Sequence, residues 1–216
     1  MRRKGLCTTA VVLAMATTGV GGLVPAAAAP REKPVAADVD GDGRPDAVTA
    51  REVAPQVQEL SVRVGGQTVA AKFPSQGSRP LQRPRAVDID GDGRAELLVA
   101  HASDAHTVTF NVWKYDPARG LVLMQGENGR PFEVTEGSSL WALNGYSCAP
   151  NPPHAKEFVT ISVALTSRPG ETTAYSGART NYFVDGDRIR SNFQNMIRNE
   201  PRIHSLLITN PSSCAA

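Results

Sequence analysis

Apolar residues fall in short alternating runs along this chain, set off by glycine and proline, and few stretches keep helical spacing. Leu60, Val62 and Val64 alternate with polar neighbours, Gly65-Gly66 follows, and then come Val69 and Phe73. Alternation on both sides of a glycine pair predicts a β-hairpin. Val108, Phe110, Val112 and Trp113 lead through Asp116-Pro117 to Leu121 and Leu123, which predicts a second hairpin with a longer loop. Ala47 and Val48, and Leu97, Leu98 and Val99, are apolar runs too short for helices and read as strands beside glycine-rich turns. Residues 158–165 (FVTISVAL) have the pattern of a strand, and residues 181–184, the pair Asp185-Gly186, Ile189 and Phe193 predict a third hairpin with a type I′ turn. Residues 203–208 read as a last strand. Residues 194–199 are ambiguous, because Phe193, Met196 and Ile197 can also line one face of a short helix ended by Pro201. The proline-rich stretches near residues 30–34, 74–84 and 150–153 read as loops. The expected class is all-β, with at most one short helix.

Part of this pattern repeats. Residues 35–50 read VAADVDGDGRPDAVTA, and residues 86–100 read AVDIDGDGRAELLVA, so Asp38 and Asp88 are equivalent at an offset of 50 residues. A hairpin follows each acidic segment. A third unit is proposed without its acidic segment: residues 147–157 stand in that place and carry Cys148, Pro150, Pro152 and Pro153 instead of aspartates. The predicted organisation is one repeat domain over residues 35–214, with units at about 35–83, 84–140 and 141–210.

The N-terminus is different. Arg2, Arg3 and Lys4 precede an apolar stretch over residues 11–24, then Pro25 and alanines 26–29. A charged start, an apolar middle and a small-residue cleavage site form the pattern of a secretory signal peptide. We expect residues 1–28 to be removed, residues 29–34 to form a linker, and the protein to be secreted, with no membrane span after cleavage. Cleavage leaves 20 basic residues against 21 acidic ones, a net charge of −1, which gives no basic footprint for nucleic acid. It also leaves two cysteines, Cys148 and Cys214, and an even pair in an exported chain predicts one disulfide.

The acidic segments carry the chemistry. Numbered from the first aspartate, carboxylates fall at positions 1, 3, 5 and 9: Asp38, Asp40, Asp42 and Asp46, then Asp88, Asp90, Asp92 and Glu96. Glycines fall at positions 4 and 6 of both. Four carboxylates so close repel one another unless a cation lies among them. Calcium takes six to eight oxygens in flexible geometry, and magnesium prefers few protein ligands in a rigid octahedron. Glycines at 4 and 6 permit the sharp wrap that brings positions 1, 3 and 5 together. The carbonyl at position 7, from Arg44 or Arg94, adds a further oxygen. Two calcium ions are therefore expected. An EF-hand is excluded, because position 12 is Thr49 or Val99 and the flanks are strand-like.

DVDGDGRPD and DIDGDGRAE, each followed by a short strand, resemble the calcium loops of FG-GAP/VCBS-type repeats, which occur in integrin α-subunit propellers and in many secreted bacterial proteins. The resemblance implies propeller-blade-like units and calcium bound by positions 1, 3, 5, 7 and 9. Those are Asp38, Asp40, Asp42, Arg44 through its carbonyl, and Asp46, then Asp88, Asp90, Asp92, Arg94 through its carbonyl, and Glu96. Three such units are too few for a closed propeller, so an incomplete propeller or a compact sandwich is expected. The implied function is a secreted binding or adhesion module with structural calcium and an extracellular glycan or protein as partner. The alternatives are a small secreted hydrolase with structural calcium and a purely structural envelope protein.

Catalytic signatures are weaker. The chain has no G-x-S-x-G and no H-E-x-x-H sequence. His101 and His106 flank Asp104, and a strand followed by a polar loop accounts for them as well. His154 and His204 have no evident partner. The AVDIDGDG segment lacks the residues and the α/β setting of an aspartate-nucleophile phosphatase. Trp113, Tyr115, Trp141, Tyr146, Tyr175 and Tyr182 can stack on sugars, but core and edge packing accounts for them more simply. No catalytic residue is assigned.

Overall fold

The computed structural model describes residues 35–77, 82–151, 154–168 and 170–216. The expected signal peptide and linker lie outside the described residues. Fourteen strands make up nearly all of the regular structure: β1 (Val35–Ala37), β2 (Asp46–Ala54), β3 (Val57–Val64), β4 (Gln67–Pro74), β5 (Gln76–Gly77), β6 (Arg85–Val87), β7 (Glu96–Ser103), β8 (Thr107–Asp116), β9 (Gly120–Leu123), β10 (Glu133–Ser138), β11 (Ala142–Asn151), β12 (His154–Leu165), β13 (Ala174–Asp185) and β14 (Arg188–Pro201). Two single-turn 3-10 segments, Ser205–Leu207 and Pro211–Cys214, are the helical content of the described residues. The fold is all-β, and among the described residues neither of the two sheets closes on itself.

The 50-residue repeat survives in the strand register. β1–β4 form a four-stranded sheet. Its pairs include Val35↔Val48, Val48↔Val62 and Ala50↔Leu60. β6–β9 repeat it with Arg85↔Leu98, Leu98↔Val112 and Ala100↔Phe110. The two units are joined differently to their surroundings. β6–β9 belong to a ten-stranded sheet that continues through β10, β11, β12 and β13 to β14.

This placement explains why β7 is apolar at successive positions while β2 alternates. Leu97 and Val99 pack with Val48, Leu60, Val62 and Phe73 of the first sheet. Leu98 and Ala100 pack on the opposite side with Phe110, Val134, Tyr146 and Phe158. A strand covered on both faces needs apolar residues at every position. A fully buried side chain of this size contributes about 1.5 to 3 kcal/mol.

The two well-patterned hairpins form as predicted. Gly65 and Gly66 both take positive φ (56° and 84°) between Val64 and Gln67, the backbone of a type I′ turn. In the second hairpin, Asp116 Oδ1 accepts from the backbone of Ala118 and Arg119 and shapes a three-residue loop closed by Gly120.

Three local expectations are corrected, and the open reading of residues 194–199 is resolved. The last hairpin turns at Gly186-Asp187, one residue later than predicted, because Asp185 pairs with Arg188; Gly186 supplies positive φ in the first central position. Residues 194–199 are strand, not helix. Register shifts in the β13–β14 pair break the two-residue alternation, so Phe193 and Met196 are exposed while Ile197 is buried. That broken alternation imitates helical spacing. Residues 203–208 hold the first 3-10 turn, Ser205–Leu207, and not a strand. His204 Nδ1 accepts from Leu206 N (3.3 Å) and caps it, and Leu207 alone of the four apolar residues there is buried. Finally, residues 147–157 do not form a wrapped loop in place of the acidic one. They are the paired ends of β11 and β12, from Ser147↔Val159 to Asn151↔His154, with residues 152–153 outside the described set.

Candidate metal centre

Both acidic loops bridge antiparallel strands at one register. Residues 38–45 connect β1 to β2 above the pair Ala37↔Asp46. Residues 88–95 connect β6 to β7 above Val87↔Glu96. Position 9 therefore stands across the ladder from the residue that precedes position 1.

The loops curl by the same internal bonds. Gly41 N donates to Asp38 Oδ1 (2.8 Å), and Gly91 N to Asp88 Oδ1 (2.6 Å). Asp42 N donates to Asp40 Oδ1 (3.1 Å), and Asp92 N to Asp90 Oδ1 (3.2 Å). Arg44 N donates to Asp42 Oδ1 (2.8 Å), and Arg94 N to Asp92 Oδ1 (2.7 Å). Val39 N donates to Asp46 Oδ2 and Ile89 N to Glu96 Oε2, both at 3.1 Å. The longer Glu96 side chain thus keeps the contact that Asp46 makes. Gly41 and Gly43 have φ of 78° and 80°, and Gly91 and Gly93 have 77° and 83°. Left-handed backbone at four matched positions is why glycine stands there.

Carboxylate oxygens converge in both loops. One oxygen each from Asp38, Asp40 and Asp42 lies within 4.8 Å of the others, as do oxygens of Asp88, Asp90 and Glu96. Each group can hold a metal ion. Asp46, the first residue of β2, and Asp92, within the second loop, lie outside these groups. The donors are all carboxylates, and hard oxygen ligands suit hard cations rather than thiophilic ones.

The electrostatics call for positive charge. Burial, then the neighbouring carboxylates Asp92 and Asp88, pushes Asp90 above its ordinary value. Asp46 is raised chiefly by burial and further by Asp40, Asp42 and Asp38, against the lowering effect of its bond from Val39. Glu96 is 4% exposed, and burial, reinforced by Asp90, pushes its carboxyl up from 4.5 to about 8. In the metal-free protein Glu96 therefore keeps its proton at neutral pH.

The second loop has two partners that sequence reasoning missed. Lys156, at the start of β12, places Nζ 3.0 Å from Asp88 Oδ2. The chain end also reaches this loop. Asp88 N donates to the carbonyl of Cys214 (2.8 Å), and Cys148 Sγ lies 3.9 Å from the carbonyl of Asp88. Cys148 and Cys214 form the expected disulfide, with Cα atoms 4.9 Å apart. No local spacing in the sequence points to Lys156, which is 68 residues from Asp88. The loops also touch each other. Ala95 N donates to the Asp38 carbonyl (2.7 Å), and a Cβ on Gly41 would meet the Arg94 side chain at 3.0 Å.

Other candidate groups have structural employment. Asp104 accepts from His106 N, Thr107 N and Thr107 Oγ1 and closes the β7–β8 turn, while the His101 ring faces Glu133 at 3.3 Å. His204 caps the first 3-10 turn. Trp113, Tyr146 and Tyr175 are buried, and Trp141 is 70% exposed.

Fold and site together define an all-β protein with repeated blade-like units and duplicated acidic loops between strands. Residues 38–99 match the family model described as an FG-GAP-like repeat. The matched segment runs from the first aspartate of loop 1 into β7 and contains both loops. No curated protein and no solved structure matches the chain. Among the described residues no helix is long and apolar enough to cross a membrane.

Proposed function

We propose that the chain is a secreted binding module whose blade-like units are held by two calcium ions, and that it engages an extracellular glycan or protein. The observation that carries this reading is the duplication of one carboxylate set on one strand register, with its glycines at matching φ. A lone acidic turn has many uses; two copies with the same backbone curl and carboxylates at the same four positions support one kind of ion, with positions 1, 3 and 5 converging in loop 1 and positions 1, 3 and 9 in loop 2. In loop 1 the ligands are Asp38, Asp40, Asp42, the Arg44 carbonyl and Asp46. In loop 2 they are Asp88, Asp90, Asp92, the Arg94 carbonyl and Glu96. Up to five protein oxygens in a flexible loop, completed by water, favour calcium over magnesium. Secretion rests on the charged, apolar and small-residue pattern of residues 2–29. Extracellular calcium, at about millimolar levels, keeps such sites filled.

A cell-wall and glycan pull-down tests the binding half of this reading. The calcium-loaded protein, freed of its signal peptide, is expected to be retained on at least one extracellular glycan or surface protein, and chelation to release it. Turnover of the captured glycan, in place of retention, would favour the hydrolase.

A further inference from the structure

Resting on the reading of the loops as calcium sites, we propose that the two sites are unequal, because Lys156 acts as a built-in cation of loop 2 and competes there with calcium. The two loops match bond for bond except at one oxygen. In loop 1, Asp38 Oδ2 accepts from Gly43 N at 2.8 Å. In loop 2, the equivalent Asp88 Oδ2 accepts from the Lys156 ammonium at 3.0 Å. Among the described residues, no lysine, arginine or histidine pairs with Asp38, Asp40, Asp42 or Asp46.

The lysine is held in place. Its backbone N donates to the Asp90 carbonyl (3.3 Å), so main chain and side chain of one residue both reach loop 2. It stands where β12 begins and pairs with Pro150 of β11. The Cys148–Cys214 disulfide lies against the same Asp88. Asp88 is 8% exposed and the Lys156 side chain 26%, so the ion pair is partly shielded from water and screened less by salt than a surface pair. The third unit, which lacks an acidic loop of its own, thus supplies a positive charge to the loop of the second.

A divalent ion entering loop 2 must displace an ammonium already paired with a ligand carboxylate or share that carboxylate with it. Either route weakens binding relative to loop 1, where the Arg94 side chain packs over Gly41 but, among the described residues, no cation pairs with a loop carboxylate. The protein then responds to calcium in two steps, loop 1 filling first. Loop 2 in turn keeps part of its charge balance when calcium is scarce.

Calorimetric calcium titration of single-site variants tests this. Asp90→Asn leaves loop 1 as the working site, and Asp40→Asn leaves loop 2. Loop 1 is expected to bind about tenfold or more tightly than loop 2, a difference of about 1.4 kcal/mol. Adding Lys156→Met to Asp40→Asn should tighten the remaining site about tenfold, and Lys156→Arg, which keeps the charge, should not. Lys156→Met alone is the second measurement, should the double variant fold poorly: its isotherm should merge the two steps, and its calcium-free form should melt below that of Lys156→Arg. Equal affinities in the two single-site variants, or a loop 2 indifferent to Lys156→Met, would overturn the inference and leave the calcium sites standing. Absence of saturable binding in every variant would overturn both.

Discussion

Chelation of calcium is expected to lower the melting temperature of the folded protein by about 5 to 20 °C. An ion that binds only the native state adds about 1.4 to 2.7 kcal/mol per site at 10 to 100 times its Kd. In a domain of this size 1 kcal/mol shifts the melting temperature by roughly 2 to 4 °C. The stabilised elements are the ones that need it. Each loop concentrates four carboxylates beside a strand pair, Ala37↔Asp46 or Val87↔Glu96, on which the blade-like unit is built. Asp40→Ala should remove the larger part of the calcium-dependent shift, Asp90→Ala the smaller part, and the double variant nearly all of it. A calcium-dependent enzyme with an open coordination position would behave otherwise: the same changes would abolish turnover and leave the melting temperature in place.

The shift also depends on pH. In the calcium-free protein burial holds the Glu96 carboxyl at about 8, above its ordinary 4.5. Between those values the native state binds more protons than the unfolded chain, so calcium-free stability falls as pH rises from about 4.5 to about 8. Calcium, which needs the ionised carboxylate, offsets that loss. Thermal melts at pH 5 and pH 8 should therefore show the larger calcium effect at pH 8.

The second large effect belongs to the disulfide. Cys148 and Cys214 are 66 positions apart, and the chain-entropy model assigns such a cross-link about 4 kcal/mol. Cys148→Ser with Cys214→Ser should lower the melting temperature of the calcium-loaded protein by roughly 8 to 16 °C. The loss should not be uniform. The Cys214 carbonyl receives Asp88 N, so freeing the chain end loosens the first ligand of loop 2. Calcium affinity is expected to fall at loop 2 and to hold at loop 1, as read in the same single-site backgrounds. Two reactive thiols in the unreduced protein would contradict the bond itself.

The sequence made the loops and their strands legible because the determinants are local. Glycine at four matched positions, carboxylates at fixed offsets and alternation at Leu60, Val62 and Val64 lie within a few residues of what they shape. The 50-residue offset carried further, since register follows from loop length: Ala50↔Leu60 and Ala100↔Phe110 are the same pair in two copies. Long-range partners were not legible. Lys156 meets Asp88 only because β11 and β12 run on as a hairpin where a third loop was expected, and Pro150 within β11 disguised that strand as a turn. Bulges in β13–β14 concealed a strand by spoiling its alternation at Phe193, Met196 and Ile197. Ile203 and Ile208 suggested a strand by spacing alone, and both are exposed around a 3-10 turn.

Calorimetric titration of the chelator-stripped wild-type protein with calcium is the most direct measurement of the central claim. Two ions per chain are expected to bind saturably, the weaker within the range of about 0.1 to 1 mM common to extracellular modules. At pH 7 the heat should also vary with the ionisation enthalpy of the buffer, because filling loop 2 displaces the proton held by Glu96. A titration that reaches about 10 mM calcium without saturable binding would contradict the account.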